Sequence, residues 1–330
     1  MGFGISRSLR YATSYQLTPT RSKVIEIARD TNDLDQIYAE IKHLGLTENL
    51  AELEAYGFTV VENALPEDTL KCARDQILAL AEKQTGRKPD LETGEEHPDW
   101  RLIPYLMGRH PVFQDVLLNE KPLALITYLL GPNCNLSSMT CHFKGPGDGG
   151  VLPLHTDTGM PAPLPPYSNV ANINYAMVDY TKEGGCLAVV PESHKFSRNP
   201  RPDEMALTGP GANPMAVPVE VPAGSAVIWH GNLWHGSYPR TIPGLRLNLA
   251  VYFARTWWRL QERYGDALPA EVIERHGNNP RFRQLANLDE VMGWQEEGPS
   301  FLNIKDGGIN IDPETIAKRM RGLNGSGWHS

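Results

Sequence analysis

The chain has 330 residues, enough for one large domain or two modest ones, and its 41% hydrophobic and 21% charged residues are those of a globular protein with a sizeable core. A formal net charge of −8, with no clustering of Lys and Arg, excludes a general nucleic-acid binder, which must neutralise phosphates. No apolar run approaches the roughly 18–20 residues of a membrane span, so no membrane partner is expected.

Cys72, Cys134, Cys141 and Cys186 form no C-x-x-C pair, and a chain of this size needs no disulfide staples. A reducing, cytoplasmic setting is expected. Residues 1–25 hold Arg7, Arg10, Arg21 and Lys23 but no acid. They read as a basic arm rather than a transit peptide, and lack the apolar core of a secretory signal. Leu34, Ile37, Tyr38, Ile41 and Leu44 recur at helical spacing, and Leu50, Leu53 and Tyr56 mark a second helical segment within residues 30–56. "GFTVVENAL" (57–65) predicts a short strand opened by a glycine. Residues 66–86 predict a helix with Pro66 at its first position, Glu67 and Asp68 at the positive end of its dipole, and Gly86 at its close. Residues 87–100 read as polar loop, and 110–131 as one or two further helices.

After Gly131 short β-prone runs alternate with Gly/Pro turns, at 135–144, 151–156, 170–180, 186–190, 216–221, 225–235 and 245–254. That texture predicts a sandwich or barrel. "PAPLPP" (161–166) is a stiff loop. Helical pieces return past Arg255 in "WWRLQERYG", "PAEVIERHG" and "PETIAKRMRGL". The expected organisation is a single domain over 1–330: helices and a first strand up to 130, a β core over 131–254, and a helical or irregular extension over 255–330.

The chemistry concentrates in "VLPLHTDTGM" (151–160). Residues i and i+2 of a strand share a face, so His155 and Asp157 project together if the strand reaches them. Two histidines and one carboxylate make the facial triad that leaves positions open on Fe(II). An isolated H-x-D is common by chance. Here a second histidine, His235, stands on a later β-prone run in "WHGNLWHGSYP", and Arg246 opens the next. A cosubstrate with a free carboxylate needs a fixed bidentate cation near the metal, which Arg supplies. Ser237, two after His235, shares its face.

In "HTD" (155–157), "HGSYP" (235–239) and Arg246 the sequence resembles the phytanoyl-CoA hydroxylase-like (PhyH-like) Fe(II)- and 2-oxoglutarate-dependent oxygenases. "YGFTVVENALPEDTL" (56–70), "FKGPGDGGVLPLHTD" (143–157) and "EGGCLAVVPESHK" (183–195) extend the resemblance over about residues 50–254. It implies a mainly β fold with flanking helices around a double-stranded β-helix (jelly-roll, cupin-like) core. It implies that His155, Asp157 and His235 bind Fe(II), and that Arg246 and Ser237 hold the distal carboxylate of 2-oxoglutarate, with Thr140, Asn172 and Asn174 as further contacts. With O2 such an enzyme oxidises an unactivated C–H bond and releases succinate and CO2. Family halogenases replace the carboxylate ligand with a small residue, so Asp157 favours hydroxylation or a related desaturation, cyclisation or rearrangement.

His230 is the rival of His235 for the metal; its alternative is a packed histidine. His142 points into the barrel or sits on its surface. Trp229, Trp234 and Tyr167 are candidate substrate contacts, with core packing as the alternative for the tryptophans. The long segment 196–214 reads as a lid or an insertion. Lys195, Arg198 and Arg201 read as an anion contact or a solvated run. Aromatic strand ends and acidic charge favour an apolar natural product or lipid-like small molecule over a CoA thioester. A zinc or manganese cupin-like hydrolase or isomerase, and a non-catalytic binding module, remain alternatives. Oligomeric state is open, a homodimer included.

Overall fold

The structure, a computed structural model, describes residues 34–147, 151–288, 293–295 and 298–300. The basic arm and the helical piece over 313–323 lie outside the described residues.

Helices α1 (Leu34–His43) and α2 (Thr47–Tyr56) lead into strand β1 (Phe58–Val61). Gly57 closes α2 at φ 84°, a left-handed conformation that glycine adopts without strain. Helix α3 (Glu67–Thr85) has Pro66 as its extended N-cap rather than its first helical residue, and Glu67 and Asp68 in its first turn. Helices α4 (Pro111–Leu117) and α5 (Glu120–Leu130) complete the N-terminal layer.

The β core follows the predicted runs closely: β2 (Asn135–Lys144), β3 (Leu152–His155), β4 (Val170–Ala176), β5 (Leu187–Val189), β6 (Val217–Val219), β7 (Ala226–His230), β8 (His235–Ser237) and β9 (Arg246–Ala254). The single run expected over 225–235 divides into β7 and β8, which lie in different sheets. The larger sheet has the order β1-β7-β4-β9-β2 and the smaller β3-β8-β5-β6. All their pairings are antiparallel. β1, expected among the N-terminal elements, is thus an edge strand of the core sheet.

Strand pleating divides the larger sheet chemically. On one face Cys141 and Phe143 of β2, Leu249 and Phe253 of β9, Ile173 of β4 and Ile228 of β7 pack with the helices in one apolar cluster. A register irregularity between Leu136 and Ser138 lets Leu136 and Met139 both join that face. The other face carries Ser138, Thr140, His142 and Lys144 opposite Tyr252, Ala250, Asn248 and Arg246. Asn172 and Asn174 continue it beside Trp229 and Val227. It meets the smaller sheet, since Lys144 Nζ donates to Ser237 Oγ of β8 at 2.8 Å. Two facing antiparallel sheets with helices outside the larger make the expected jelly roll.

Past β9 the structure departs from expectation. "WWRLQERYG" forms turns, with helix only at α6 (Tyr264–Ala267), followed by α7 (Ala270–His276) and α8 (Pro280–Leu285). Tertiary anchoring overrides its helical periodicity: Glu262 N donates to Ser137 O at 2.8 Å. The Glu262 carboxylate accepts from Tyr105 N at 2.7 Å and Met139 N at 3.0 Å. An antiparallel strand pair, β10 (Gly293–Gln295) and β11 (Gly298–Ser300), was not expected. The four thiols are free, and among the described residues no helix is long and apolar enough to cross a membrane.

Phe253 is fully buried between β9 and the helices. Phe253→Ala is expected to lower stability by about 3–5 kcal/mol in denaturant titration. A loss below about 1 kcal/mol would show that this face is not the stabilising core.

Candidate metal centre

His155 ends β3 and pairs in register with His235, the first residue of β8. Their rings lie 4.3 Å apart, centroid to centroid. Each Nδ1 faces a backbone carbonyl, Pro153 O at 2.9 Å for His155 and Leu233 O at 3.0 Å for His235. A carbonyl only accepts, so Nδ1 carries the proton in both rings and Nε2 keeps its lone pair. Those Nε2 atoms lie 3.9 Å and 3.4 Å from the Asp157 carboxylate oxygens. One ligand atom from each of the three residues falls within 4.8 Å of the others, the one such grouping found among the described residues. Burial, above all, pushes the His235 pKa down, partly opposed by Asp157, and this keeps the imidazole neutral as metal ligation requires.

Asp157 is not on the strand. It lies in a bend after β3, and its alignment comes from Gly231. The Gly231 carbonyl accepts from Asp157 N at 3.0 Å and Thr158 N at 3.1 Å. The carboxylate is held from the larger sheet: Oδ2 accepts from Asn172 Nδ2 at 2.7 Å and Trp229 Nε1 at 3.0 Å. Tyr252 OH donates to the Asp157 carbonyl at 3.3 Å. These contacts fix the orientation of the Asp157 carboxylate. The convergent donor set of two neutral imidazoles and a carboxylate fits Fe(II).

Facing the smaller sheet that carries His155 and His235 lies a buried cation pair. Lys144 and Arg246 are register partners on the inner face. Both are buried, at 3% and 8% exposure, and neither has a carboxylate partner among the described residues. Arg246 Nη1 donates to Gly185 O at 2.7 Å, while its Nε has no partner. Burial, then the neighbouring guanidinium of Arg246, pushes the Lys144 pKa down to about 7. Ser237 completes the pocket through Lys144.

The other predicted residues divide. Asn172 holds Asp157 rather than the cationic pocket. Asn174 accepts from Tyr180 OH at 3.0 Å, and the Tyr180 ring lies 5.5 Å from the Arg246 guanidinium. Thr140 and His142 form a pair: Thr140 Oγ1 is 3.0 Å from His142 Nε2, and His142 Nδ1 is 2.8 Å from Arg101 O. Burial pushes the His142 pKa down to about 4, so the ring is neutral, donating at Nδ1 and accepting at Nε2. Trp229 grips Asp157. Trp234 is fully buried in the apolar cluster around the smaller sheet, with its indole N–H on Arg198 O at 2.9 Å, and does not line the site. Tyr167 is exposed in the loop after Asp157.

His230 ends β7 away from the triad, packed 5.4 Å from the His194 ring. Burial first, then His194 and Arg255, push its pKa down to about 3. The 196–214 segment is tied down: Leu154 N donates to Met205 O at 3.0 Å, and Thr156 Oγ1 donates to Asn199 Oδ1. Arg198 and Arg201 pair with Glu204, and Lys195 donates to Ala55 O. Arg198 is thus engaged by Glu204, while Lys195 and Arg201 stay exposed. Lys144 and Gly231 escaped the sequence reading. Each shows itself only through a spatial neighbour, Arg246 across the strand pair for Lys144 and the packed chain for Gly231.

A jelly roll whose inner face brings together two neutral histidines, a carboxylate and a buried cation pair defines the frame of a non-haem metal enzyme. The chain belongs to the phytanoyl-CoA dioxygenase (PhyH) family of Fe(II)- and 2-oxoglutarate-dependent oxygenases, whose profile matches residues 53–246. Phytanoyl-CoA dioxygenase 1 of Oryza sativa subsp. japonica is 33% identical over 121 residues, 34% of this chain and 42% of its own. An uncharacterized protein of Mycobacterium tuberculosis is 26% identical over 259 residues, 73% of this chain and 84% of its own. In fold the chain is similar to HygX from Streptomyces hygroscopicus, solved with nickel and 2-oxoglutarate, with a TM-score of 0.54 and 20% identity over 68% of this chain and 93% of that one.

A Cβ on Gly231 would lie 2.4 Å from Val170 O and 2.6 Å from Val170 Cγ2. Gly231→Ala is therefore expected to displace the turn that aligns Asp157 and to weaken metal binding about tenfold or more. Trp229→Phe keeps a ring beside His235 but removes the N–H on Asp157, and about tenfold weaker binding is expected. Anaerobic Fe(II) titration reads both.

Proposed function

We propose that His155, Asp157 and His235 hold Fe(II), that Arg246, Lys144 and Ser237 hold the distal carboxylate of 2-oxoglutarate, and that the protein uses O2 to oxidise an unactivated C–H bond of a small organic substrate. Succinate and CO2 are the coproducts. The observation that carries this reading is the cation pair. A buried guanidinium beside a lysine whose charge burial disfavours, neither ion-paired to a carboxylate among the described residues, is a costly pair, and a dicarboxylate arriving beside them relieves that cost. An unpartnered Arg246 Nε is a donor in the fork that grips a carboxylate. A zinc or manganese hydrolase, or a plain binding module, would leave this pair with nothing to hold.

When bound, Fe(II) supplies the centre at which 2-oxoglutarate is oxidatively decarboxylated and O2 is activated. The chain's own part is positioning. Arg246 and Lys144 set the depth of the cosubstrate, and Ser237, on β8 with His235, ties that depth to a metal ligand. Asn172, Trp229 and the Gly231 carbonyl hold Asp157 in one orientation. Neutral His142 orients the Thr140 hydroxyl without adding charge. The Asp157 carboxylate occupies the place that halide chemistry would require, so hydroxylation is the outcome we assign. Because Trp234 is core and Trp229 holds Asp157, the aromatic strand ends no longer argue for an apolar substrate.

Anaerobic Fe(II) plus 2-oxoglutarate is expected to give a visible metal-to-ligand charge-transfer band that His155→Ala abolishes. A wild-type protein without that band would overturn the assignment. Arg246→Ala is expected to raise the 2-oxoglutarate dissociation constant about 30-fold or more.

Lys144 gives a pH dependence of definite sign. Below its pKa of about 7 it is charged and suits the dianion. Above that pH binding must recruit a proton, so affinity is expected to fall by up to about tenfold per pH unit as pH rises. Titration calorimetry in buffers of different ionisation heat checks this, and Lys144→Gln is expected to flatten the profile.

A further inference from the structure

One stretch of the 196–214 segment, residues 197–205, holds a chain neighbour of each triad residue. Leu154, one residue before His155, donates its N–H to Met205 O at 3.0 Å. Thr156, between His155 and Asp157, donates its hydroxyl to Asn199 Oδ1. The Asn199 amide in turn donates to Met160 O, three residues past Asp157, at 3.2 Å. Trp234, one residue before His235, donates its indole N–H to Arg198 O at 2.9 Å. The same stretch also takes up the loop that leaves Asp157, since Leu164 N donates to Ser197 O at 2.8 Å.

The stretch is braced from within. Arg198 and Glu204 meet as a fork, Nη1 to Oε2 at 2.6 Å and Nη2 to Oε1 at 2.9 Å. Glu204 Oε2 also accepts from Arg201 N, and Glu204 O accepts from Asn213 Nδ2, each at 2.8 Å. The Arg198 guanidinium lies 4.7 Å from the centroid of a Trp234 ring. A bidentate pair admits few geometries, so the chain between its ends, Asn199 included, is presented in one place.

This grip differs from those on the other side of Asp157. The β3–β8 ladder ends at His155, and Gly231, Asn172 and Trp229 reach Asp157 from the larger sheet and its β7 connection. Asn199 is exposed and spans the turn from the outside, tying the residue before Asp157 to the chain beyond it. A ligand held on one side alone keeps freedom to rotate; held on both, it is aligned.

We propose that residues 197–205 are an outer frame for the metal centre, with Asn199 and Glu204 as positioning residues. Asn199 sets the angle at which Asp157 leaves β3, and Glu204 keeps Arg198 and Asn199 in place. The inference rests on the reading of the triad as a metal site.

The test uses the full chain, freed of metal and titrated anaerobically with Co(II), whose d–d spectrum reports ligand geometry as well as occupancy. Asn199→Ala and Thr156→Val should each weaken Co(II) binding about fivefold and shift the d–d bands. The double variant should match Asn199→Ala, because both changes break one shared bond. Thr156→Ser keeps the hydroxyl and should bind as wild type does, and Glu204→Ala should copy Asn199→Ala. Melting temperatures of the metal-free Asn199 and Thr156 variants should stay within about 2 °C of wild type. Hydrogen exchange over residues 155–160 of the metal-free protein should be faster in Asn199→Ala. Wild-type Co(II) affinity and spectrum in Asn199→Ala and Thr156→Val, or a Thr156→Ser variant as weak as Thr156→Val, would overturn the inference. A wild type that takes up no Co(II) sinks the metal assignment instead. Exchange over 155–160 then decides the frame by itself: faster in Asn199→Ala sustains it as the restraint on Asp157, and unchanged removes it.

Discussion

The pleat of the five-stranded sheet is the constraint on which the molecule depends. Alternate residues of β2, β4, β7 and β9 point to opposite faces, so each strand serves two environments at once. One set is apolar and closes against the helical layer. The other is polar and stays buried, a condition that folding alone does not favour. The helices make this tolerable: the apolar face contributes stability that offsets the inner face, where charge and hydrogen-bonding capacity wait for a ligand. A register slip of one residue would exchange the two faces and lose core and site together.

Within that frame the triad is assembled by two different kinds of restraint. His155 and His235 are placed by strand pairing, the most rigid arrangement available, and their tautomers are set by carbonyls two residues before each ring. Asp157 is placed by a turn and depends on one carbonyl from a glycine in the β7–β8 connection. The same connection separates His230 from His235 and sends them to different sheets. It therefore decides which histidine joins His155 and where the Asp157 carboxylate stands.

Much of this was legible in the sequence. Short β-prone runs bounded by Gly and Pro matched β2, β3, β5, β6 and β9 to within two residues, because strands buried on both faces are dense in β-formers, but overshot β4 by four residues and merged β7 with β8. The order H-x-D, then His, Ser and Arg, marked the triad and the cation beside it. Three things were not legible, for physical reasons. Lys144 looked like the end of a strand, since its importance lies in a cross-strand neighbour rather than a sequence neighbour. The bond from Asn172 to Asp157 was not foreseen, because Asp157 leaves the strand and its carboxylate reaches across to the larger sheet. The "WWRLQERYG" piece had a helical pattern that Ser137, Tyr105 and Met139 overrule by taking up Glu262, a long-range contact invisible to local periodicity.

The irregularity in β2 has a use beyond keeping Leu136 and Met139 on the core side. A bulged residue leaves the ladder, and its backbone groups and side chain become available to other chain segments. Here Ser137 spends its hydroxyl on Gln261 and its carbonyl on Glu262. The defect in the strand is thus a docking point, and what docks there is a piece of chain outside the family's shared core. Variation among relatives in that piece would reach the inner wall through one residue, without disturbing the phase of Thr140, His142 and Lys144 further along. The fold therefore puts the attachment of the C-terminal segment and the inward row of Thr140, His142 and Lys144 on a single strand, with the bulge as the joint between them.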